Sequence, residues 1–575
     1  MTHRLTVFVA VLAALLRATA AHAGEPNTIT NGDFTGAATD TGAPEGWQHR
    51  TAGKGFVRVE SAGGETFVAI GVNEAGEDSF IQQVMPLSND VISVTFTGKA
   101  RHENIEPGEK GYQKGVIQGR FTQAGKEMGS WINIGSFTGT QAEWREFEGR
   151  GRRPADADGV MIRMGMYGVK SGRLDVAGVQ LDVRTQADVA VDRAKYRPAE
   201  EYGPAVTDAR YAKLARGVNI NNWFCQPWNI SVNGQKGGFN AETFRGYITE
   251  HDLKLIKAAG FTHVRLPTDP LFLMDRKTGD LVTDLLPEYD RALKMIVDHG
   301  LAVIVDAHPK SPPFKKMSRS ATADNFVIWW GNLAKHLAAT TDPEWVFLEP
   351  LNEPGGQGYW AGDSYEAYSD RLVTVIRANA PDHTLIVGGG GYMLVTELDR
   401  LRPHPDRNIV YTMHYYEPSP FTHQGAVWMK DWYRPLRNVP WPLTQENLNE
   451  AQAAVVASDK SAEHARKALA SLVSGNYGTE AQYVREQLQK VADWGKANNR
   501  RMHVGEWGVY TKYAPRDSRL RYLDAITRAM HDLDLAWSKW DYVGGGFEIV
   551  ANPAAPSAKR ELDAEVIAAL NLSGQ

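Results

Sequence analysis

Trp345-Val-Phe-Leu-Glu-Pro-Leu-Asn-Glu-Pro354 decides the fold. It is a short apolar run that closes on two polar residues, Asn352 and Glu353, the form expected of a strand buried on both faces. Seven more runs share that form, at 214–223, 262–267, 302–308, 384–392, 409–418, 502–509 and 536–543. Stretches with helical spacing lie between them, at 250–259, 286–299, 324–337, 364–380, 479–498 and 515–534, and 559–572 follows the last run. Eight strands alternating with helices predict an α/β chain half, a (β/α)8 barrel over 210–575. In such a barrel the chemistry sits at the carboxyl ends of the strands. Here those ends read Arg265 on the second strand, His308 on the third, Asn352 and Glu353 on the fourth, His414 and Tyr416 on the sixth, Glu506 on the seventh and Trp540 on the eighth. Polar or aromatic residues recurring at one end of six strands point to a site.

The chain before the barrel has a different period. Between 27 and 183 short alternating segments such as Thr66-Phe-Val-Ala-Ile-Gly71 and Val91-Ile-Ser-Val-Thr-Phe-Thr-Gly98 are broken by Gly, Asn and Pro, with no helical pattern between them. That spacing predicts an antiparallel β-sandwich. Residues 186–209 carry many charges, with Pro198 and Pro204, and read as an ordered or semi-rigid connector. Residues 1–23 have a basic start, His3 and Arg4, an apolar run from Leu5 to Leu16 and the small-x-small site Ala21-His22-Ala23, the pattern of a secretory signal peptide. The expected order is therefore a signal peptide at 1–23, a sandwich domain at 24–185, a connector at 186–209 and the barrel at 210–575.

Composition narrows the function classes. With 575 residues, 42% hydrophobic and 23% charged, the chain suits a soluble protein of two domains. The signal peptide makes the expected product secreted or periplasmic, and no segment is long and apolar enough to suggest a membrane span. One cysteine, Cys225, excludes an internal disulfide framework and a cysteine-based zinc site, and is expected to be a packed thiol. A net charge of −5 without a dense basic block leaves no footprint for nucleic acid, and a neutral polymer is the easier partner. Gly388-Gly-Gly-Gly391 lacks a following Lys-Ser/Thr, and no Gly-x-Ser-x-Gly occurs, so phosphate-loop and serine-hydrolase readings fail. Nothing specifies an oligomeric state.

Gly217-Val-Asn219, His263-Val-Arg265-Leu-Pro267, Asp306-Ala-His308, Leu351-Asn-Glu-Pro354, His414-Tyr-Tyr416, Gly505-Glu-Trp507 and Lys539-Trp540-Asp541 stand in an order that resembles glycoside hydrolase family five, the cellulase family, across the second domain. The resemblance implies Glu353 as acid/base, Glu506 as nucleophile, and Arg265, His308, Asn352, His414, Tyr416 and Trp540 as the substrate-binding surroundings. The third-strand motif departs from the family, because Pro309-Lys-Ser-Pro-Pro313 follows His308 where glycine-rich sequence is usual. Upstream, Ile29-Thr-Asn-Gly-Asp-Phe34, Gly46-Trp47 and Leu174-Asp-Val-Ala-Gly-Val-Gln-Leu181 resemble jelly-roll carbohydrate-binding modules of the family four/nine type. Trp47, Trp131, Trp144, Phe56, Phe80 and Tyr112 are then candidates for a sugar-stacking platform.

A retaining glycosidase needs one protonated and one ionised carboxyl about 5 Å apart. On that scheme Arg265 and Tyr416 hold Glu506 anionic, and Glu353 is expected to have the higher pKa and carry the proton. Asn352 is expected to donate to a sugar 2-hydroxyl. His308 and His414 bind hydroxyls or orient the glutamates; a metal role competes, but they lie on different strands without a clear third ligand, so neither metal nor cofactor is expected. Trp540 is read as the stacking floor, with Trp223, Trp228, Trp360 and Trp507 as further sugar contacts. Glu349 is read as a buried hydrogen-bonding residue, about 13 Å below the acid by strand rise. The long stretch 417–500 carries Phe421, Trp428, Trp432, Tyr433 and Trp441 and is expected to shape a cleft, to form a helical subdomain, or both. The leading expectation is an exported endo-acting enzyme cutting β-1,4-glucan with retention. β-Mannan or a bacterial exopolysaccharide is the alternative substrate, and a polysaccharide-binding protein without turnover is the alternative class.

Overall fold

The computed structural model describes residues 27–572 except 40–41, 52, 75–76, 311–319, 356–364 and 476–480. The chain divides into two compact units near Asp192. The first unit is built from β1 (Gln48–Thr51), β2 (Phe56–Ala62), β3 (Glu65–Val72), β4 (Glu77–Pro86), β5 (Val91–Glu106), β6 (Gly115–Gln123), β7 (Lys126–Phe137), β8 (Gly139–Arg152), β9 (Gly159–Val169) and β10 (Ser171–Thr185). They form two five-stranded sheets, ordered β1-β4-β9-β6-β7 and β2-β3-β10-β5-β8, and every pairing is antiparallel.

Strand alternation places one set of side chains of each sheet in a common core, including Ile70, Ile81, Phe96, Ile117, Ile162, Met164 and Val176. Trp47 belongs to that core. It is 5% exposed, packs on Phe34 at 5.6 Å and donates from Nε1 to the Asn31 carbonyl at 3.1 Å, so its ring is not available as a platform. Phe56 and Trp144 pack on a smaller cluster of Phe67, Ala69 and Ala177. Phe80 and Trp131 lie instead on the other face of the β1-β4-β9-β6-β7 sheet, the former stacked on Tyr167 at 5.6 Å, and the Arg163 guanidinium lies 5.2 Å from each ring centroid.

The segment read as a connector begins with a helix, Gln186–Tyr196, and the division between the units falls within it. In the second unit all eight expected runs become strands: β11 (Arg216–Asn219), β14 (His263–Thr268), β15 (Ala302–Ala307), β16 (Val346–Glu349), β17 (Leu385–Gly388), β18 (Ile409–Tyr415), β19 (Arg501–Trp507) and β20 (Ala536–Lys539), with a small hairpin, β12 (Ser231–Val232) and β13 (Gln235–Lys236), after β11. The eight are parallel and close into a barrel in chain order. Helices Glu250–Ala258, Leu286–Asp298, Ser320–Thr340, Tyr365–Asn379, Ala481–Ala497 and Arg516–Asp532 alternate with them. The 417–500 stretch holds the further helices Leu448–Ala453 and Lys460–Ser474. Among the described residues no helix is long and apolar enough to cross a membrane.

Inward side chains recur every second residue and sort into three layers. At the amino end Ile304, Phe347, Ile386, Val410 and Ala536 pack with Tyr211 and Leu214 in an apolar floor. One step up is a neutral polar chain: Ser538 Oγ lies 2.7 Å from His263 Nε2 and 3.0 Å from His503 Nε2, and Thr412 Oγ1 lies 3.2 Å from His503 Nδ1. Burial pushes His263 down to about 3, so it stays uncharged at neutral pH. Above it stand Arg265, His414 and Glu506 on three of the same strands, joined by Asn219, Asp306 and Glu349 from β11, β15 and β16. On β19 the step includes one extra residue: Thr412 pairs with His503 but His414 pairs with Glu506. The bulge requires a glycine, because a Cβ on Gly505 would lie 2.7 Å from Thr412 Oγ1.

Gly217 has a similar constraint, since its Cβ would sit 2.1 Å from His263 Nε2. Gly217→Ala is expected to cost about 1–3 kcal/mol through overpacking of the polar layer. Gly238→Ala, whose Cβ approaches only the Asn240 side chain at 3.3 Å, is the control expected to change the urea midpoint little.

Candidate active site

Arg265 is wholly buried midway along β14, and each arm of its guanidinium is engaged. Nε and Nη2 donate to the two oxygens of Glu349 at 2.8 and 2.7 Å. Nη1 donates to Glu506 Oε1 at 2.8 Å and to Asn219 Oδ1 at 2.9 Å. Nη2 also donates to Asn352 Oδ1 at 2.8 Å and lies 3.0 Å from Asp306 Oδ2. Three carboxylates from three strands thus share one cation. Burial pushes Asp306 and Glu349 up to about 7 each, against the pull of Arg265.

Glu349 is closer to the site than strand rise suggests. It shares Arg265 Nη2 with Asn352, one guanidinium away from Glu506. The extended-strand count fails because β16 stops at Glu349 and the following residues turn, with Glu353 at φ +41°. A left-handed backbone at a non-glycine residue stores strain, and here it accompanies the placement of a charged side chain at the barrel mouth.

Glu353 Oε1 accepts from His414 Nδ1 at 2.8 Å, and the same nitrogen lies 3.6 Å from Glu506 Oε2. Tyr416 OH donates to Glu506 Oε2 at 3.0 Å. Glu353, His414 and Glu506 each present one atom to a group in which all such atoms lie within 4.8 Å of one another. The third ligand-type group that the sequence left unidentified beside His414 is therefore a pair of glutamates, and His308 lies outside the set. The two acids face each other across a space open to solvent on the Glu353 side, where 28% of that side chain is exposed.

The proton lies differently from expectation. Burial alone would raise Glu353, but the hydrogen bond and positive charge of His414 outweigh it and hold its carboxyl below the usual range. Burial opposes a charge on His414, yet Glu506 and Glu353 outweigh it and raise its pKa. The imidazole, not Glu353, holds the proton of the pair.

His308 is fixed as a neutral ring. Nδ1 donates to Asp306 at 2.8 Å, Nε2 accepts from Asn352 Nδ2 at 3.2 Å, and burial lowers its pKa far below the usual histidine range. The Trp540 ring stacks on it at 5.7 Å and 22°. Asn352 thus spends its oxygen on Arg265 and one N–H on His308, leaving the other N–H. Cys225 is a packed thiol, buried and donating to the His308 carbonyl at 3.4 Å. Of the other tryptophans, Trp223 and Trp507 are fully buried and pack the barrel, whereas Trp228 is 36% exposed; Trp360 and most of the loop after His308 fall outside the described residues. Lys539 was quoted in sequence only as part of a motif. Its buried Nζ donates to the Trp540 and Phe547 carbonyls at 2.7 and 2.6 Å, tying the chain after β20.

Residues 229–544 match the family model "Cellulase (glycosyl hydrolase family 5)". The chain belongs to glycosyl hydrolase family 5. Its similarity extends to Endoglucanase 3 of Fibrobacter succinogenes, 26% identical over 385 residues, which are 64% of this chain and 53% of that protein. Endoglucanase C of Acetivibrio thermocellus is 27% identical over 349 residues, 59% of this chain and 94% of that protein. The chain thus spans about half the length of the first relative and nearly all of the second. Among solved structures, endoglucanase Cel5A of Thermotoga maritima aligns at 22% identity over 63% of this chain and all of its own, with a TM-score of 0.48.

The raised pKa of Glu349 in this family 5 site gives a test of the shared-cation cluster. From an ordinary 4.5 to about 7 in the fold, the folded protein holds a proton that the unfolded chain has released. Glu349 therefore costs stability that grows as pH rises through that window. Glu349→Gln is expected to gain stability relative to the native protein as pH rises from about 4.5 to 7, read from urea midpoints; a difference independent of pH refutes the assignment.

Proposed function

We propose that the protein is an exported, endo-acting glycoside hydrolase that cleaves β-1,4-linked glucan with retention of configuration. What carries the reading is the spacing of Glu353 and Glu506, whose nearest presented oxygens lie within 4.8 Å. Retaining enzymes hold their carboxyl groups about 5–5.5 Å apart, while inverting ones leave room for a water at about 6.5–9.5 Å. Glu506, bonded by Arg265 and Tyr416, is the nucleophile. Glu353 is the acid/base, and the proton it delivers to the leaving oxygen is drawn from the His414 hydrogen bond. As the glycosyl bond to Glu506 forms, the negative charge facing His414 is lost, the imidazole yields its proton through Glu353 to the leaving oxygen, and Glu353, left anionic beside a neutral His414, then takes a proton from the water that cleaves the intermediate. The remaining Asn352 N–H serves the 2-hydroxyl, and Trp540 supports the sugar at the cleavage point. Relatives named endoglucanases support glucan and internal cutting.

In the same reading residues 1–23 direct export, and the first unit is a jelly-roll carbohydrate-binding module. Its candidate sugar face is that of Phe80, Tyr167 and Trp131, where rings lie beside the amides of Gln82, Gln118 and Asn133.

Glu353→Gln and Glu506→Gln are each expected to lower release of reducing ends from soluble β-1,4-glucan at least about a hundredfold, with the β-anomer forming first in the native reaction by NMR. Initial α-anomer, or full activity in either variant, excludes the mechanism. Trp131→Ala in the full chain is expected to weaken retention on insoluble glucan without changing kcat on a soluble one; unchanged retention removes the sugar face.

A further inference from the structure

A cavity of 490 Å³ lies at the amino end of the barrel, the end away from Glu353 and Glu506. Ile409, Met502 and Leu535, at the starts of β18, β19 and β20, line it. Tyr211 of the apolar floor lines it too, with its hydroxyl spent on the Met502 and Asp534 carbonyls at 2.6 and 2.9 Å, so the ring is what it offers. Val206 closes one side, on a segment fixed at Tyr202, whose N–H bonds the Pro405 carbonyl at 3.0 Å and whose carbonyl accepts from the Arg407 N–H at 2.9 Å. Cavities of about 300–1,000 Å³ with an apolar lining and a few polar groups are the form taken by small-ligand sites.

The charges around this space are unevenly compensated. Arg501 pairs with Asp208 and Asp534, and Arg500 pairs with Glu201. Arg407 and Lys496 line the same cavity, and among the described residues neither side chain has a hydrogen bond or an ion pair. Lys496 is exposed and water serves it, but Arg407 is half-buried. A guanidinium partly withdrawn from water with none of its N–H groups bonded to protein is costly, and its planar fork matches a carboxylate.

We propose that this cavity is a second ligand site, which takes a small carboxylate with an apolar tail. The carboxylate meets Arg407 and Lys496, and the tail lies along Ile409, Met502 and Leu535. A neutral sugar would leave both cations unanswered, and an inorganic anion would leave the apolar lining wet. A doubly charged phosphate fits less well, because Gly495 and Lys496 bring the carboxyl end of the helix Ala481–Ala497 to the cavity, the negative pole of its dipole. The site is separate from the catalytic mouth and does not depend on the glycosidase reading; its ligand stabilises the folded chain by mass action.

The test is calorimetric binding of octanoate to the full chain, with acetate and 1-octanol as the head and the tail alone. Native protein is expected to bind one octanoate at least about tenfold more tightly than either fragment, and Arg407→Gln and Lys496→Gln are each expected to weaken octanoate about tenfold. Lys496 is an exposed helix residue, so its variant keeps the comparison available if Arg407→Gln fails to fold. No octanoate binding, equal affinity in the native protein and the folded variants, or an affinity no greater than that of acetate overturns the proposal. Displacement of octanoate by cellohexaose also overturns it, since that places the ligand in the catalytic mouth. Cellohexaose that leaves octanoate affinity unchanged is the expected result.

Discussion

One guanidinium sets the constraint on which the barrel mouth depends. Arg265 meets Asp306, Glu349 and Glu506 in a region with no exposed arginine surface, so its charge is compensated only by protein. Three ionised carboxylates against one arginine would leave an excess of buried negative charge, which is expensive. The structure relieves this by burial itself, which pushes Asp306 and Glu349 up to about 7. Below that range the cluster holds protons on the two inner acids while the arginine remains committed to Glu506. Because Arg265 also fixes Asn219 and Asn352, its loss would release four strands' worth of polar groups at once. Breaking such a buried ion pair costs on the order of 3–5 kcal/mol.

The layers below explain why this cluster sits where it does. Alternation along each strand leaves only every second residue facing inward, so a charged layer at the top needs a layer beneath it that tolerates polarity without adding charge. His263, His503, Ser538 and Thr412 fill that role, and burial keeps the histidines neutral. The β19 bulge then breaks the alternation once. Were Gly505 paired in regular alternation instead of bulged out of the ladder, Glu506 would point to the helical layer instead of towards His414. A single glycine therefore couples the strand register to the position of the carboxylate.

Much of this was legible because period and chemistry coincide. Eight apolar runs gave eight strands, and His263/Arg265, Phe347/Glu349 and Thr412/His414 stand two residues apart as a shared inward face requires. The side chains gathered around the barrel mouth, from Arg265 to Trp540, were likewise named from strand ends. Several features resisted reading because periodicity does not report depth or curvature. Trp223 and Trp507 have the composition of sugar contacts but pack inside the fold, and Trp47 occupies the core of the first unit. Glu349 was placed too deep because a run continuous in hydrophobicity through Pro354 is not continuous in backbone. Asn219 and Asp306 lay in quoted motifs, yet only three-dimensional convergence on Arg265 shows what they hold. Tyr416 and Phe547, whose rings meet at 6.0 Å, stand 131 positions apart, a pairing that no local pattern reports.

The least legible feature is the location of a proton. From the two glutamates alone, mutual repulsion argues that the more exposed one is protonated. His414 changes the balance because it faces both acids, 2.8 Å from one and 3.6 Å from the other. A single imidazolium between two carboxylates neutralises more charge than a proton placed on either, provided it remains near both. That arrangement makes the protonation of Glu353 depend on the charge of Glu506: while Glu506 is anionic the imidazole keeps its proton, and removal of that charge weakens its hold. The histidine thereby links the two acids, through a hydrogen bond to Glu353 and the charge of Glu506, and the strained backbone at Glu353 accompanies the placement of the carboxylate where that link operates.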